Sequence, residues 1–376
     1  MTDVFVVSSG AVPVSNKHAL GSGRKLAREA GVQALNGAGL RYADIDALYC
    51  GVAMPTSPAA VLVGKEFGLT GIPVVQVTNA SASGLAAIHT AVDAMQAGRA
   101  DLVLVLGYDV PTNLDDPIAS QGFLPPPALF GMWARRRMHD VGTTVETLAR
   151  IAAKNLNYAR SIPFASRKMD AEATIEDVLA SRPVADPLTA LMCTQWVYGA
   201  SAIVLATQAG LERIKAPIKT VARIDATEFQ SEVIGPFHII EGAIVGPPEI
   251  TRSISKAVLA RAGRSLDEID CVQIHDAFAI EELMYYELLG FADDGAADDL
   301  VDKGAFGPGS REKFGLPEFS TDGGLIGRGH PGAPSGVFQA MESLRRFRET
   351  EDRVSLCHML GAGSTSLAQI YSRKDL

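Results

Sequence analysis

Hydrophobic and polar positions along the chain alternate between two rhythms. "DVFVVSSG" opens as a β-branched strand, and "SGRKLAREAGVQALNGAGL" follows with Leu26, Ala30, Val32 and Leu35 at helical intervals. "DIDALYCGV" and "VVQV" predict two more strands, and the stretch after Ser81 sets Leu85, Ile88, Val92 and Met95 on one helical face. Gly98 is placed to end that helix, and "DLVLVLGYD" reads as a continuous apolar strand of a buried sheet. From about Pro111 to Pro187 strand content falls. Prolines in "FLPPPALF", a basic helix "MWARRRMHD" and a polar helix "TVETLARIAAKNLNYAR" predict an inserted loop-and-helix subdomain. Strands resume at "GASAIVLAT" and "APIKTVARI". After about Pro248 the helix "ITRSISKAVLARAG", strand "CVQIH", helix "AIEELMYYELLG", helix "VFQAMESLRRF" and strands "RVSLCHML" and "STSLAQIYS" return to the opening grammar. The pattern is α/β with an internal duplication, divided here into 1–225, with the loop subdomain at about 111–187, and 226–376.

Composition narrows the function. The 376 residues are 47% hydrophobic and 20% charged with a formal net charge of −9, a poor match for nucleic-acid binding. The cysteines Cys50, Cys193, Cys271 and Cys357 are widely separated, without metal-ligand spacing, and read as free thiols. No apolar run approaches membrane-spanning length and no secretory signal is evident, so a cytoplasmic location is expected.

Four turns carry candidate chemistry. "VTNASASGLAAIHTA" runs from a strand into a helix, with Ser81 at the presumed helix N-terminus. Ser81 is either an N-cap or a group set among helix amides able to hold an anion. "QIHDAFAIEE" puts His275 at a strand's carboxyl end, with Asp276 expected to orient it or to cap the next helix. "GGLIGRGHPGA" surrounds His330 with five glycines in eleven residues. "LCHMLGAGSTS" carries Cys357, His358 and Met359 into Gly361 and Gly363, either a plain β-hairpin or a turn whose amide near Gly361 forms an oxyanion hole.

In this order the four turns resemble the thiolase superfamily, most closely its sterol-carrier-protein-type branch, with "HDAF" and "GHPGA" the most specific phrases. The resemblance implies a thiolase fold, two similar βαβαβ-type halves in a five-layer αβαβα core with an inserted loop domain. It implies a homodimer built on the nucleophile-bearing half and a coenzyme A thioester as substrate rather than a tightly bound cofactor. Arg135, Arg136, Arg137 and His139 are candidate contacts for the nucleotide phosphates, or else a solvated helix face. A small zinc-ribbon/OB-fold partner protein is also implied. In the family a cysteine takes the acyl group, a GHP histidine activates it, an HDxF-type histidine helps hold the thioester oxygen, and a second cysteine moves the carbanion proton.

The chain departs from that set. Ser81 stands at the nucleophile position; Ala277 and Met359 stand where the second cysteine is found in different branches; Tyr198 replaces an aspartate in "YGA". A hydroxyl is far less acidic than a thiol and needs a well-organised base. Three readings follow. In the leading one, an acyltransferase acts at the carbon–carbon bond beside the thioester, with Ser81 natural or engineered. In the second, a retro-aldol lyase cleaves a β-hydroxyacyl-CoA without an acyl-enzyme, using His275, His330, His358 and turn amides; tyrosines such as Tyr198, Tyr285 and Tyr286 are then of interest. In the third, a catalytically silent subunit binds CoA esters.

Overall fold

The computed structural model describes residues 2–18, 22–54, 58–109, 125–233, 248–362 and 364–376. The first half runs β1 (Val4–Ala11), α1 (Gly23–Gly37), β2 (Ala47–Gly51), α2 (Ala59–Phe67), β3 (Val74–Val77), α3 (Ser83–Gln96) and β4 (Leu102–Tyr108). The inserted segment holds α4 (Pro126–Val141), α5 (Val145–Ala159), α6 (Ile175–Ala180) and a two-strand ribbon of β5 (Pro183–Ala185) and β6 (Leu188–Thr189). β7 (Ala200–Thr207) and α7 (Gln208–Glu212) complete that half. The second half runs β8 (Thr220–Ser231), α8 (Pro248–Ala262), β9 (Cys271–Gln273), α9 (Ala279–Leu288), α10 (Ala297–Asp302), α11 (Ser310–Phe314), β10 (Glu318–Phe319), α12 (Gly324–Gly327), α13 (Pro334–Glu349), β11 (Val354–Gly361) and β12 (Thr365–Asp375).

Ten strands form one sheet in the order β10-β9-β11-β12-β8-β1-β7-β4-β2-β3. Read outward from the β1–β8 seam, the halves repeat each other. β1, β7, β4, β2 and β3 answer to β8, β12, β11, β9 and β10, with the same two antiparallel and two parallel pairings. The duplication expected from the hydrophobic grammar is therefore present as topology. The boundary expected at 225/226 falls inside β8; the repeat starts the second half at Thr220.

Strand alternation sorts the apolar side chains into layers. On β1, β4 and β7, Val4, Val6, Val103, Val105, Ile203 and Leu205 face α3 and α13, while Phe5, Val7, Leu104 and Val204 face α1 and α2. In the second half Cys357, Met359 and Leu367 face the same central helices, and Val272, Leu356 and Ile370 face α8 and α9. α3 and α13 thus lie between the two halves as the middle of five layers. Their crossing is close because of glycine: a Cβ on Gly84 would stand 2.3 Å from the Ala333 carbonyl oxygen, and one on Gly336 would stand 2.4 Å from the Leu85 nitrogen.

Candidate active site

The turn after β3 resolves the ambiguity at Ser81. α3 begins at Ser83, and its cap position is Ala82, without a side-chain cap. Ser81 is therefore not the N-cap. Local bonding falls to Ser83, whose Oγ accepts from the Asn79 N–H at 2.8 Å and donates to the Ala80 carbonyl at 2.6 Å. Ala80 has φ +46°, a left-handed conformation that costs a non-glycine residue free energy. That bend leaves Ser81 half-buried and its Oγ 2.9 Å from His330 Nε2.

His330 precedes α13 and is buried. Its backbone N–H donates to the Gln195 carbonyl at 3.1 Å, and the indole of half-exposed Trp196 meets the ring edge-on at 5.5 Å. Ser335 Oγ lies 2.8 Å from Nδ1, so both ring nitrogens meet hydroxyls. Burial, then His275 and Arg328, holds the ring well below the ordinary histidine range, so His330 is neutral at neutral pH. Asp109, at the end of β4, pins the His330 loop by accepting from the Ala333 N–H at 2.7 Å, and ties in the β2–α2 connection through the Ala53 N–H at 2.7 Å.

His275 follows β9, and its ring lies 5.2 Å from that of His330 at 89°. The carboxylate that orients it is Glu281, not Asp276: Nδ1 is 2.9 Å from Glu281 Oε1. Glu281 also accepts from the Ala277 N–H at 3.1 Å and the Tyr285 hydroxyl at 3.0 Å. Asp276 turns away, accepting from the Leu325 and Ile326 amides at α12 and from Asn155 Nδ2. Three of the expected residues, Ser81, His275 and His330, are thus brought together at the carboxyl ends of parallel strands and the N-terminal ends of α3 and α13. Glu281 and Ser335 were missed from sequence; each stands five or six positions after a candidate histidine, the one signal available.

The remaining candidates differ in how near they come to this cluster. Gly361 ends β11, paired with Thr365 in a hairpin, and a Cβ there would lie 2.6 Å from the Asn79 carbonyl oxygen. Glycine is what lets this strand end touch the Ser81 turn. Gly363 and the first part of "FLPPPALF" lie outside the described residues. His358 faces away from Cys357 and Met359: Nε2 is 3.0 Å from Ser366 Oγ, its ring packs on Tyr285 at 5.0 Å, and burial and His275 push it down to about 3. Among the described residues no contact joins His358 to Ser81 or His330, which corrects its expected place in the oxyanion turn. Arg137 is committed to the fold, with buried Glu287 and partly buried Asp298 as its partners. Arg135 and Arg136 are exposed beside Asp186 and Asp140, and His139 also sits against Asp140. Tyr286 bonds Glu282, and Tyr198 pairs by backbone with Ser15.

All four thiols are buried away from the Ser81–His330 pair. Cys357 faces the central layer against Ser343, Cys193 bonds the Thr189 carbonyl, and burial raises Cys193 to about 11 and Cys271 to about 12. Cys50 and Cys357 are pushed higher still, for the same reason. No group of three or more potential metal ligands occurs among the described residues, and no described helix is long and apolar enough to cross a membrane.

A duplicated five-layer α/β core with a Ser–His contact between its two central helices defines a class. The family model described as "Thiolase, N-terminal domain" matches residues 4–122, and "Thiolase C-terminal domain-like" matches residues 247–373. The chain belongs to the thiolase family. It is 30% identical over 376 residues to an acetyl-CoA acetyltransferase of Methanothermobacter thermautotrophicus, covering 93% of this chain and 94% of that one. It is 29% identical over 378 residues to sterol carrier protein 2 of Gallus gallus, covering 92% of this chain and 67% of that protein. Its fold superposes on a solved "Ltp2-ChsH2(DUF35) aldolase" with a TM-score of 0.81 at 24% identity, over 98% of this chain and 97% of that one.

Proposed function

We propose that this chain cleaves or forms the carbon–carbon bond beside a CoA thioester by proton transfer, as a retro-aldol lyase of β-hydroxyacyl-CoA, without an acyl-enzyme. The observation that carries the reading is the composition of the site: a serine hydroxyl and two histidines converge, while every thiol is buried elsewhere. Retro-aldol cleavage needs a base for the β-hydroxyl and donors for the thioester enolate, both within reach of such a set. The aldolase name of one fold neighbour accords with this. Its DUF35 component, together with the implied zinc-ribbon/OB-fold partner, supports a similar small subunit here. In this reading the CoA nucleotide lies near Arg135, Arg136 and His139, and a homodimer forms along the edge strand β3.

A second reading, acyl transfer through Ser81, is favoured by the 2.9 Å contact between Ser81 Oγ and a neutral His330. The names of the acetyltransferase and sterol-carrier relatives lean the same way. One experiment separates the two. The protein is incubated with a 3-hydroxyacyl-CoA, and separately with a 3-ketoacyl-CoA plus CoA, and products are weighed by mass spectrometry. An aldehyde or ketone from the first is the expected result. Shortened acyl-CoA from the second, with an acyl mass on Ser81, would replace the lyase reading by the transferase. Binding of both esters with no product would make the chain a ligand-binding subunit.

A further inference from the structure

His275 carries a feature that the contact with Glu281 decides. A neutral imidazole holds one proton, on one of two nitrogens, and the partner of one nitrogen sets the state of the other. Nδ1 faces Glu281 Oε1 at 2.9 Å, and a carboxylate is an acceptor only, so Nδ1 is the protonated nitrogen. Glu281 is fixed in that role, because it also accepts from the Ala277 amide at 3.1 Å and from the Tyr285 hydroxyl at 3.0 Å. In a neutral ring Nε2 is then left without a proton, and it is buried with no hydrogen-bond partner among the described residues. The His275 ring meets His330 edge-on, and His330 in turn contacts Ser81, so His275 belongs to the same side-chain cluster.

We propose that Glu281 locks His275 with its proton on Nδ1, so that Nε2 is the base that takes the β-hydroxyl proton and not a donor to the thioester oxygen. The inference rests on the proposed retro-aldol reaction and assigns its base. It also reverses the oxygen-holding role that family resemblance implies for this histidine. The oxygen is then held by Ser81. With Ser335 O–H donating to His330 Nδ1, His330 Nε2–H donates to Ser81 Oγ, and the Ser81 O–H is free for the oxyanion. In the reaction the substrate O–H bond breaks and its proton moves to His275 Nε2. The Cβ–O bond becomes a carbonyl, and the Cα–Cβ bond breaks, its electron pair entering the thioester as an enolate. After the aldehyde or ketone departs, the proton on Nε2 passes to Cα and leaves a shortened acyl-CoA. No oxidant or second substrate is needed. Glu281 acts as a positioning residue; it balances the charge that the ring carries while it holds the second proton.

The test reads the proton directly. The full chain, labelled with ¹⁵N in its imidazoles, is examined by long-range ¹H–¹⁵N NMR, with His275→Gln used to assign the resonance. The expected spectrum at neutral pH is that of a neutral ring protonated on Nδ1. Glu281→Gln is expected to mix the two tautomers and to lower kcat for 3-hydroxyacyl-CoA cleavage about 10- to 100-fold, with KM within about threefold. Glu281→Asp, which keeps the carboxylate, is expected to restore the Nδ1–H form and most of kcat. Thermal unfolding of each variant checks that the fold is kept. A purely structural role for Glu281 would move the melting midpoint without moving the tautomer. A ring protonated on Nε2, a doubly protonated ring, or a Glu281→Gln chain with parental kcat would overturn the proposal. A parent chain that shows the locked tautomer and cleaves no 3-hydroxyacyl-CoA would sink the proposed reaction while upholding the lock.

Discussion

Replacing Gly84 by alanine tests whether the crossing of the two central helices sets the active-site geometry. Gly84 lies three residues after Ser81, and the atom it faces belongs to Ala333, three residues after His330. The added Cβ would sit 2.3 Å from the Ala333 oxygen and 2.9 Å from the Val337 nitrogen, where ordinary contact begins near 3.4 Å. Both atoms are backbone, so no side chain can swing aside, and α3 and α13 must part by about 1 Å. Overpacking of this kind costs about 1–3 kcal/mol. Alanine's better helix propensity returns up to about 1 kcal/mol of that. For a chain of this size the net loss lowers the melting midpoint by roughly 1–4 °C. The larger effect falls on chemistry. A displacement of about 1 Å between reacting groups can cost about 100-fold in rate, so kcat should fall far more than stability. Gly64→Ala in α2 is the internal control, since its Cβ would meet Val74 Cγ2 at an ordinary 3.4 Å. Calorimetry and turnover of a 3-hydroxyacyl-CoA measure both effects. A Gly84→Ala chain with parental midpoint and parental turnover would refute the argument that this crossing holds Ser81 against His330.

Other perturbations separate positioning from packing. Ser335→Ala removes the hydroxyl from His330 Nδ1 and should lower kcat about tenfold with an unchanged melting midpoint; a parental kcat would show that Ser335 does not orient the ring. Burial lifts the Asp109 carboxyl to about 7, against the pull of the Ala333, Ala53 and Met54 amides. The folded chain therefore holds that proton to higher pH than the unfolded chain. The stability this contributes is complete below about pH 4 and is lost as pH rises to about 7. Denaturant unfolding of the parent and of Asp109→Asn at pH 5 and pH 8 should differ in slope, and parallel profiles would remove Asp109 as the cause. Arg137→Ala leaves buried Glu287 and partly buried Asp298 without their cation and should cost about 3–5 kcal/mol in denaturant unfolding. Arg135→Ala should instead leave stability within about 0.5 kcal/mol and raise KM for CoA esters but not for pantetheine esters, which lack the nucleotide.

What sequence made visible follows from how each feature is encoded. The strands and the long helices are written in apolar spacing, so "DLVLVLGYD" and the face of Leu85, Ile88, Val92 and Met95 announced β4 and α3 directly. Short elements such as α12, four residues held by Asp276, have too little periodicity to read. The candidate triad of Ser81, His275 and His330 was legible because each sits in an unusual turn. Its partners were not. Glu281 lies in a run of two glutamates in which either could turn inward, and only the fold shows that Glu281 takes His275 while Glu282 takes Lys154 and Asn155. The basic run at Arg135 to His139 divides for the converse reason. Its residues share one signature, but helical phase aims Arg137 at buried Glu287 and partly buried Asp298, while Arg135, Arg136 and His139 stay exposed.

The duplication explains why Ser81 and His330 meet. Each half contains the crossover from an outer strand to a central helix, β3 into α3 and β10 through α12 into α13. Ser81 and His330 occupy the corresponding turns of the two copies. Either half alone would present a helix start with one polar side chain near it. Packed together, glycine against backbone, they bring the starts of two helices close to each other beside Ser81 and His330. Each terminus carries roughly half an elementary positive charge. That arrangement stabilises a developing oxyanion whether or not the residue beside it is a nucleophile. A cysteine would exploit the field as a thiolate. A serine, whose hydroxyl is far less acidic than a thiol, can still donate its proton toward an enolate oxygen held in the same field. For the proposed lyase, a serine in place of a thiol dispenses with the covalent step and keeps the anion site that carbon–carbon bond cleavage beside a thioester requires.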